Sequence, residues 1–140
     1  MSKTTVITKA SRLLDRANGF ISSELKKNGI NDLLPCHGDI LYFVLKEPGI
    51  HVGKLASKTS RSKSTVSLMS DKLAALGYIE KKRSTADSRV CGLWPLPKCL
   101  EFQKIFESIS AELSGRLFRG FAPEEKAQLE QLLARAVRNF

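Results

Sequence analysis

Two short helical patterns separated by three polar residues stand in the middle of this 140-residue chain. The first covers about Val52–Lys58 and has an apolar pair on its inward side. The polar turn Thr59–Arg61 follows, and a second helical pattern covers Ser62–Leu76. Its first residue is a serine, which suits the N-cap position, and Gly77 stands where a left-handed residue ends a helix. Helix, tight turn and helix predict a helix-turn-helix unit.

A helical projection of Ser62–Leu76 separates an apolar side from a polar one. Four apolar residues, beginning with Val66, lie together and predict a core-facing side. The opposite side carries Ser64, Ser67 and Asp71, and short hydroxyl side chains there allow close approach to a DNA groove. A serine-capped polar helix face without a ligand is the alternative interpretation. If the helix reads DNA, its candidate contacts are Arg61, Ser62, Lys63, Ser64, Thr65, Ser67 and Leu68.

A β-hairpin is predicted directly after this helix. Tyr78–Arg83 alternates loosely in polarity, Ser84–Ser88 is turn-like, and Val90–Trp94 is rich in strand-forming residues. Pro95 and Pro97 are expected to end the second strand, because proline lacks a backbone donor. We therefore predict two strands joined by a charged tip.

The predicted hairpin carries the second group of candidate DNA contacts. Lys81, Lys82 and Arg83 follow one another along its first strand. Asp87 and Arg89 lie two residues apart at the tip, so the carboxylate can hold the guanidinium in a fixed orientation. Such an arginine suits the narrow minor groove of A/T-rich DNA. The alternative is a surface ion pair that only stiffens a loop.

The distribution of charge also points to a polyanionic partner. The formal net charge is +9, and residues 54–98 contain ten Lys and Arg against three Asp and Glu. Residues 1–53 contain seven against five, and residues 99–140 contain six against six. The middle third thus carries +7 of the excess, which is typical of a nucleic-acid-binding patch.

Amphipathic helices are predicted on both sides of this basic segment. Apolar residues recur at helical spacing over Thr5–Lys27, and His37–Lys46 is apolar nearly all round and so central. Two further helices are predicted after residue 99, with Pro123 in the first turn of the last one. The expected fold is a mainly α single domain over residues 1–140, with a small β-hairpin wing.

Several function classes find no support in the sequence. Cys36, Cys91 and Cys99 are widely spaced and form no CxxC pair, which argues against a disulfide framework or a zinc site. We interpret them as reduced, mostly packed thiols. His37 and His51 are isolated and no nucleophile–base motif is present, so we expect no catalytic residue, metal or cofactor. No apolar run approaches the ~18 residues that span a bilayer and no secretory pattern is present, so we expect a cytoplasmic protein without a membrane partner.

Several short motifs follow in a fixed order: Gly38-Asp39-Ile40-Leu41, Pro48-Gly49, Leu55-Ala56, Ser62-Lys63-Ser64-Thr65-Val66-Ser67, Asp71-Lys72-Leu73, Leu76-Gly77-Tyr78-Ile79-Glu80, Asp87-Ser88-Arg89 and Pro97-Lys98. In this order and spacing they resemble the MarR family of bacterial winged helix-turn-helix regulators. The resemblance covers most of the chain.

The resemblance implies an α-helical homodimer in which residues 1–34 and 99–140 form dimerisation helices and residues 35–98 form the winged DNA-binding lobe. Ser62–Leu76 would be the recognition helix and Arg89 the wing-tip arginine. Family members typically repress promoters and release DNA when a small aromatic ligand or an oxidant acts on them. Two amphipathic terminal helices also favour a two-fold dimer. Its recognition helices, roughly 34 Å apart, predict an inverted-repeat operator in double-stranded DNA.

Three features depart from the family pattern. Leu68 stands where many members carry an arginine, so a thymine-methyl contact is expected in its place. Ser60 replaces the usual turn glycine and Arg61 replaces an apolar residue, so the turn is expected to differ in detail. Cys99 replaces a glycine near the start of the following helix.

Two other functions remain open from the sequence. The chain could be a thiol-based redox sensor that acts through Cys36, with DNA binding as its output. It could also bind nucleic acid without sequence preference, since a basic patch alone does not specify a sequence.

Overall fold

The computed structural model describes residues 5–87 and 89–140. Ser88, which belongs to the predicted wing tip, lies outside the described residues. The chain is mainly helical with a small sheet, as predicted, and the helix over Thr5–Lys27 is confirmed. A single 3₁₀ turn over Pro35–His37 precedes the second helix. In chain order the elements are α1 (Thr5–Lys27), α2 (Gly38–Lys46), β1 (Ile50–His51), α3 (Val52–Thr59), α4 (Lys63–Ala75), β2 (Ile79–Arg83), β3 (Cys91–Pro95), α5 (Pro97–Leu117) and α6 (Pro123–Val137).

The sheet has three antiparallel strands in the order β1-β3-β2. The predicted hairpin is present as β2 and β3, with Ile79 opposite Pro95 and Arg83 opposite Cys91. The prediction of two strands was incomplete, because β1 pairs with the other side of β3 at Ile50 and Leu93. A strand of two residues is too short to produce an alternating pattern in the sequence.

The helix-turn-helix unit has the predicted start and stop signals. The Ser62 side chain caps α4 by accepting a hydrogen bond from the Thr65 amide, and Gly77 has a φ of 84° after the last turn. Ser60 follows α3 in the left-handed conformation, with φ 54° and ψ 40°. This conformation is costly for a residue other than glycine and is kept only when neighbouring contacts hold it.

The core is built around α2, as its apolar sequence predicts. Ile40 and Val44 of α2 are fully buried, and Val66 and Leu73 of α4 pack into the same cluster. Ser70 of α4 is also fully buried, which the projection did not predict. Within the described part of the chain, its hydroxyl oxygen has no hydrogen-bond partner.

A polar cluster joins the loop after α1 to the start of α5. The hydroxyl of buried Tyr78 donates to Asp32 at 2.6 Å, and Lys98 Nζ donates to the same carboxylate at 2.8 Å and to the Leu76 carbonyl at 2.9 Å. Burial works to raise the pKa of Asp32, but the hydrogen bonds from Lys98 and Tyr78 outweigh it and lower that pKa. The α5 helix begins normally at Pro97, and burial raises the pKa of Cys99 in its first turn to about 11.

The outer helices leave apolar side chains on the surface of the single chain. Val6 and Leu14 of α1 are exposed, as are Leu132 and Val137 of α6. Among the described residues, no helix combines the length and the apolar character required to cross a membrane.

Candidate nucleic-acid interface

The N-terminus of α4 presents a small cluster of hydroxyl groups to solvent. Ser62 Oγ accepts from the Thr65 amide at 3.1 Å and donates to Thr65 Oγ1 at 2.8 Å. The hydroxyls of Ser62 and Ser64 lie 3.2 Å apart. Ser62, Lys63, Ser64 and Thr65 are all exposed. The remaining first-turn amides of an α-helix point outward and favour an anion, so this end can receive a phosphate or a base edge.

The outward side of α4 continues this surface away from the helix start. Leu68 is 71% exposed, which is unusual for a leucine and leaves an apolar group among polar neighbours. Ser67 precedes it and is half-buried, with its hydroxyl oxygen 3.5 Å from Lys81 Nζ of β2. The face therefore offers both hydroxyl groups and an apolar contact suited to a thymine methyl.

Lys81 connects this helix to the sheet. Its Nζ lies 2.6 Å from Asp71 Oδ1 and 3.5 Å from Ser67 Oγ, both on α4. One ammonium group thus ties β2 to the outward side of the helix. The helix and the hairpin form one continuous surface.

The three basic residues of β2 do not share one face of the sheet. Lys82 lies on the opposite face from Lys81, with its Nζ 5.8 Å from the Trp94 ring centroid and 3.7 Å from a Glu80 carboxylate oxygen. Arg83 is exposed and, by strand alternation, is on the face of Lys81. Lys81 therefore lies beside α4, Arg83 shares its face of the sheet, and Lys82 lies on the other face.

The wing tip holds its arginine as the spacing predicts. The backbone N, Nε and Nη2 of Arg89 donate to the Asp87 carboxylate at 3.0, 3.1 and 3.3 Å. These hydrogen bonds lower the pKa of Asp87. The Arg89 side chain nevertheless remains 89% exposed. Its charge is oriented by the carboxylate and still accessible to a partner.

Arg61, like Lys81, is paired with a carboxylate and largely covered, but its partner lies outside α4 and the hairpin. Its Nη1 donates to Asp39 Oδ1 of α2 at 2.6 Å, and its side chain is only 26% exposed. Asp39 belongs to the motif Gly38-Asp39-Ile40-Leu41, but its sequence position alone indicated no role for its side chain. The two residues are 22 positions apart, so local sequence patterns give no signal for their pairing.

A cavity of about 850 Å³ lies behind the interface, where α1, α2 and α5 meet. Sequence reasoning did not find it, because its walls come from segments far apart in the chain. The residues that line the cavity are mostly apolar and include Ile21, Leu25, Leu41, Tyr42, Phe106 and Leu113, with Asp39, Lys46 and Glu107 as its charged groups.

Cys36, the candidate redox residue, is exposed in the turn that precedes α2.

The two histidines occupy structural positions. His37 is buried, and its Nδ1 accepts a hydrogen bond from the Leu34 amide at 3.0 Å. Burial lowers the pKa of His37, and the nearby charges of Lys72 and Arg61 act in the same direction. His51 is exposed before α3. Within residues 5–87 and 89–140, no group of three or more His, Cys, Asp or Glu side chains could hold a metal ion.

Comparison with known proteins identifies relatives of this fold and sequence. The sequence profile of the MarR family matches residues 37–91. The HTH-type transcriptional regulator BilQ of Clostridium symbiosum is 31% identical over 120 residues, which cover 81% of this chain and 77% of that protein.

Solved structures match the whole architecture. A MarR protein from Peptoclostridium difficile superposes with a TM-score of 0.85 at 23% identity, over 99% of this chain and 89% of that one. The structure of the S. aureus MepR–DNA complex gives a TM-score of 0.85 at 17% identity, over 99% and 100% of the two chains. The fold is thus a winged helix-turn-helix fold, and the chain belongs to the MarR family of transcriptional regulators.

Proposed function

We propose that this chain regulates transcription by binding a specific sequence of double-stranded DNA with α4 and the wing together. The observation that carries the proposal is the Lys81 bridge to Asp71 and Ser67, which holds helix and hairpin as one surface. An α-helix fits the major groove, and the wing tip with Arg89 would then reach the adjacent minor groove. The proposed DNA-facing residues are Ser62, Lys63, Ser64, Thr65, Ser67, Leu68, Lys81, Arg83 and Arg89, with Asp87 orienting the last of them.

The proposed active form is a homodimer. The exposed apolar side chains of α1 and α6, such as Leu14 and Val137, support burial against a second copy. Sedimentation at micromolar concentration should give twice the chain mass of 15.5 kDa. A monomer at that concentration would contradict the dimer and the inverted-repeat operator together.

Selection of bound fragments from random duplex DNA tests the proposed specificity. We expect an enriched motif with two-fold symmetry, whose half-sites are one helical turn apart. Ser64→Ala and Ser67→Ala should each weaken binding to that motif more than binding to unrelated DNA. If no motif is enriched and affinity depends on salt alone, the result supports the alternative of nonspecific nucleic-acid binding. The excess of seven positive charges in residues 54–98 is the observation that supports this alternative.

We further propose that the regulator is a repressor released by a small aromatic ligand. The cavity supports this because its volume and mostly apolar walls suit a drug-sized aromatic molecule. Salicylate and benzyl alcohol, as an anionic and a neutral aromatic probe, should be compared for their effect on thermal stability and on operator binding. Stabilisation with loss of DNA binding is expected from at least one probe, and Phe106→Ala should weaken that response.

An oxidant is the second candidate signal, favoured by the exposure of Cys36. Peroxide should then weaken DNA binding in the parent and leave Cys36→Ser unaffected. Equal responses of the two proteins would exclude Cys36 as the sensor.

A further inference from the structure

The Arg61 side chain is paired with a partly exposed carboxylate of the protein itself. The Nη1–Oδ1 distance to Asp39 is 2.6 Å, and the two side chains are 26% and 40% exposed. A guanidinium in this position has less freedom to meet a phosphate than the exposed Arg89 has. Arg61 thus differs from Arg89 and resembles Lys81, which is 23% exposed and 2.6 Å from Asp71, but Lys81 ties α4 to the sheet whereas Arg61 ties the start of α4 to α2.

The two ends of this ion pair belong to different elements of the fold. Asp39 lies in the first turn of α2, next to the fully buried Ile40. Arg61 lies in the turn between α3 and α4, directly before the N-cap Ser62. The pair therefore attaches the start of α4 to the most buried helix of the fold.

The turn itself needs such an attachment. Ser60 has a φ of 54°, which a serine adopts only under constraint from its surroundings. The Arg61 amide donates to the Ala56 carbonyl at 3.0 Å, which fixes the backbone on the α3 side. The contact with Asp39 adds a second constraint on the turn, from α2.

We propose that Asp39 is a positioning residue for DNA recognition, which acts through Arg61 to set the orientation of α4. Arg61 serves as the link in this arrangement and makes no DNA contact of its own. The proposal rests on the proposed function, because it assumes that α4 reads the operator.

Operator affinity in four variants separates this role from a phosphate contact. Asp39→Asn and Arg61→Met should each weaken binding to the selected operator by about threefold or more. The double variant should lose no more than the weaker-binding single variant, because both changes break one link. Binding to unrelated DNA and the salt dependence of operator binding should stay as in the parent. Arg61→Lys should retain most of the affinity.

A direct phosphate contact predicts the opposite pattern. Asp39→Asn would then free Arg61 and strengthen binding, while Arg61→Met would weaken binding to all DNA and reduce the salt slope by about 0.9. That pattern overturns the proposal, as does unchanged affinity in both single variants. Glu47→Gln is the matched control, since it breaks the exposed Lys54–Glu47 pair at 2.7 Å and should leave affinity unchanged.

Circular dichroism of each variant verifies folding before the affinities are compared. If Asp39→Asn does not fold, Arg61→Lys and Asp39→Glu carry the test, with Asp39→Glu expected to weaken operator binding selectively. A parent protein that selects no DNA sequence would refute the proposed function. If the parent protein selects a DNA sequence and the Asp39 and Arg61 variants bind it equally well, the positioning role is refuted and the proposed function stands.

Discussion

Replacement of Arg89 by alanine tests the proposed wing contact most directly. The side chain is 89% exposed, and it donates two hydrogen bonds to Asp87, which lies two positions earlier in the chain. Its removal should leave the thermal unfolding midpoint unchanged, because a side chain that is 89% exposed adds little to the packing of the fold. Any loss of operator affinity therefore reports the contact with DNA and not the stability of the fold.

The expected loss is about 5- to 150-fold on the selected operator, the range for one groove-reading arginine. Fluorescence anisotropy with operators that carry A/T or G/C pairs under the wing measures it. An arginine in the minor groove prefers the narrow A/T groove, so Arg89→Ala should remove the preference for A/T flanks. Arg89→Lys should restore part of the affinity and little of the preference.

Acidity gives a further check on this tip. The hydrogen bonds from Arg89 lower the pKa of Asp87, so the carboxylate is ionised throughout the neutral range. Its orienting effect is present above its usual pKa and is lost only as pH falls through the lowered value. The A/T preference should thus be constant between about pH 5 and pH 8.

The matched control is Lys104→Ala, which removes one exposed positive charge from α5, outside the basic segment. It should change operator affinity little. Equal losses in Arg89→Ala and Lys104→Ala, or a loss that is the same for A/T and G/C flanks, would refute the minor-groove assignment.

Three further predictions concern stability and thiol chemistry. Ser70→Ala should raise the free energy of unfolding by up to about 1 kcal/mol, measured with urea, because it removes a buried hydroxyl that has no partner among the described residues. Asp32→Asn should lower the free energy of unfolding by only about 1 kcal/mol at pH 7, because Lys98 and Asp32 are both partly exposed. Since the pKa of Asp32 is lowered in the fold, the variant should also lose less stability than the parent as pH falls below 5. Iodoacetamide at pH 8 should modify exposed Cys36 well before buried Cys99, as intact mass reports, because burial raises the pKa of Cys99 to about 11.

Local signals made the helix-turn-helix unit predictable. The N-cap of Ser62 and the left-handed Gly77 are properties of a few neighbouring residues, and the structure has both. The hairpin was predictable for the same reason, since its two strands are close in sequence. Strand alternation could also have separated Lys82 from Lys81, because neighbouring residues of a strand point to opposite faces.

Features that depend on distant segments were not predictable. The strand β1 exists only because Ile50 meets Leu93, and two residues carry no periodic pattern. The pairing of Arg61 with Asp39 requires α2 and the turn to come together. The cavity likewise arises from the packing of α1, α2 and α5 and leaves no mark in any one of their sequences.

The acidic residues of the basic segment hold three of its cations in fixed positions. Residues 54–98 contain three of them, and each lies within 4 Å of a cation of the predicted contact set: Asp71 with Lys81, Glu80 with Lys82, and Asp87 with Arg89. A charge held in place loses less conformational freedom on binding, but its partner carboxylate also repels phosphate. The first effect favours one DNA sequence in one register, while the second weakens binding to all DNA. If the proposed function holds, we therefore expect a high ratio of specific to nonspecific affinity, which is the quantity that determines how well a regulator finds its site in a genome.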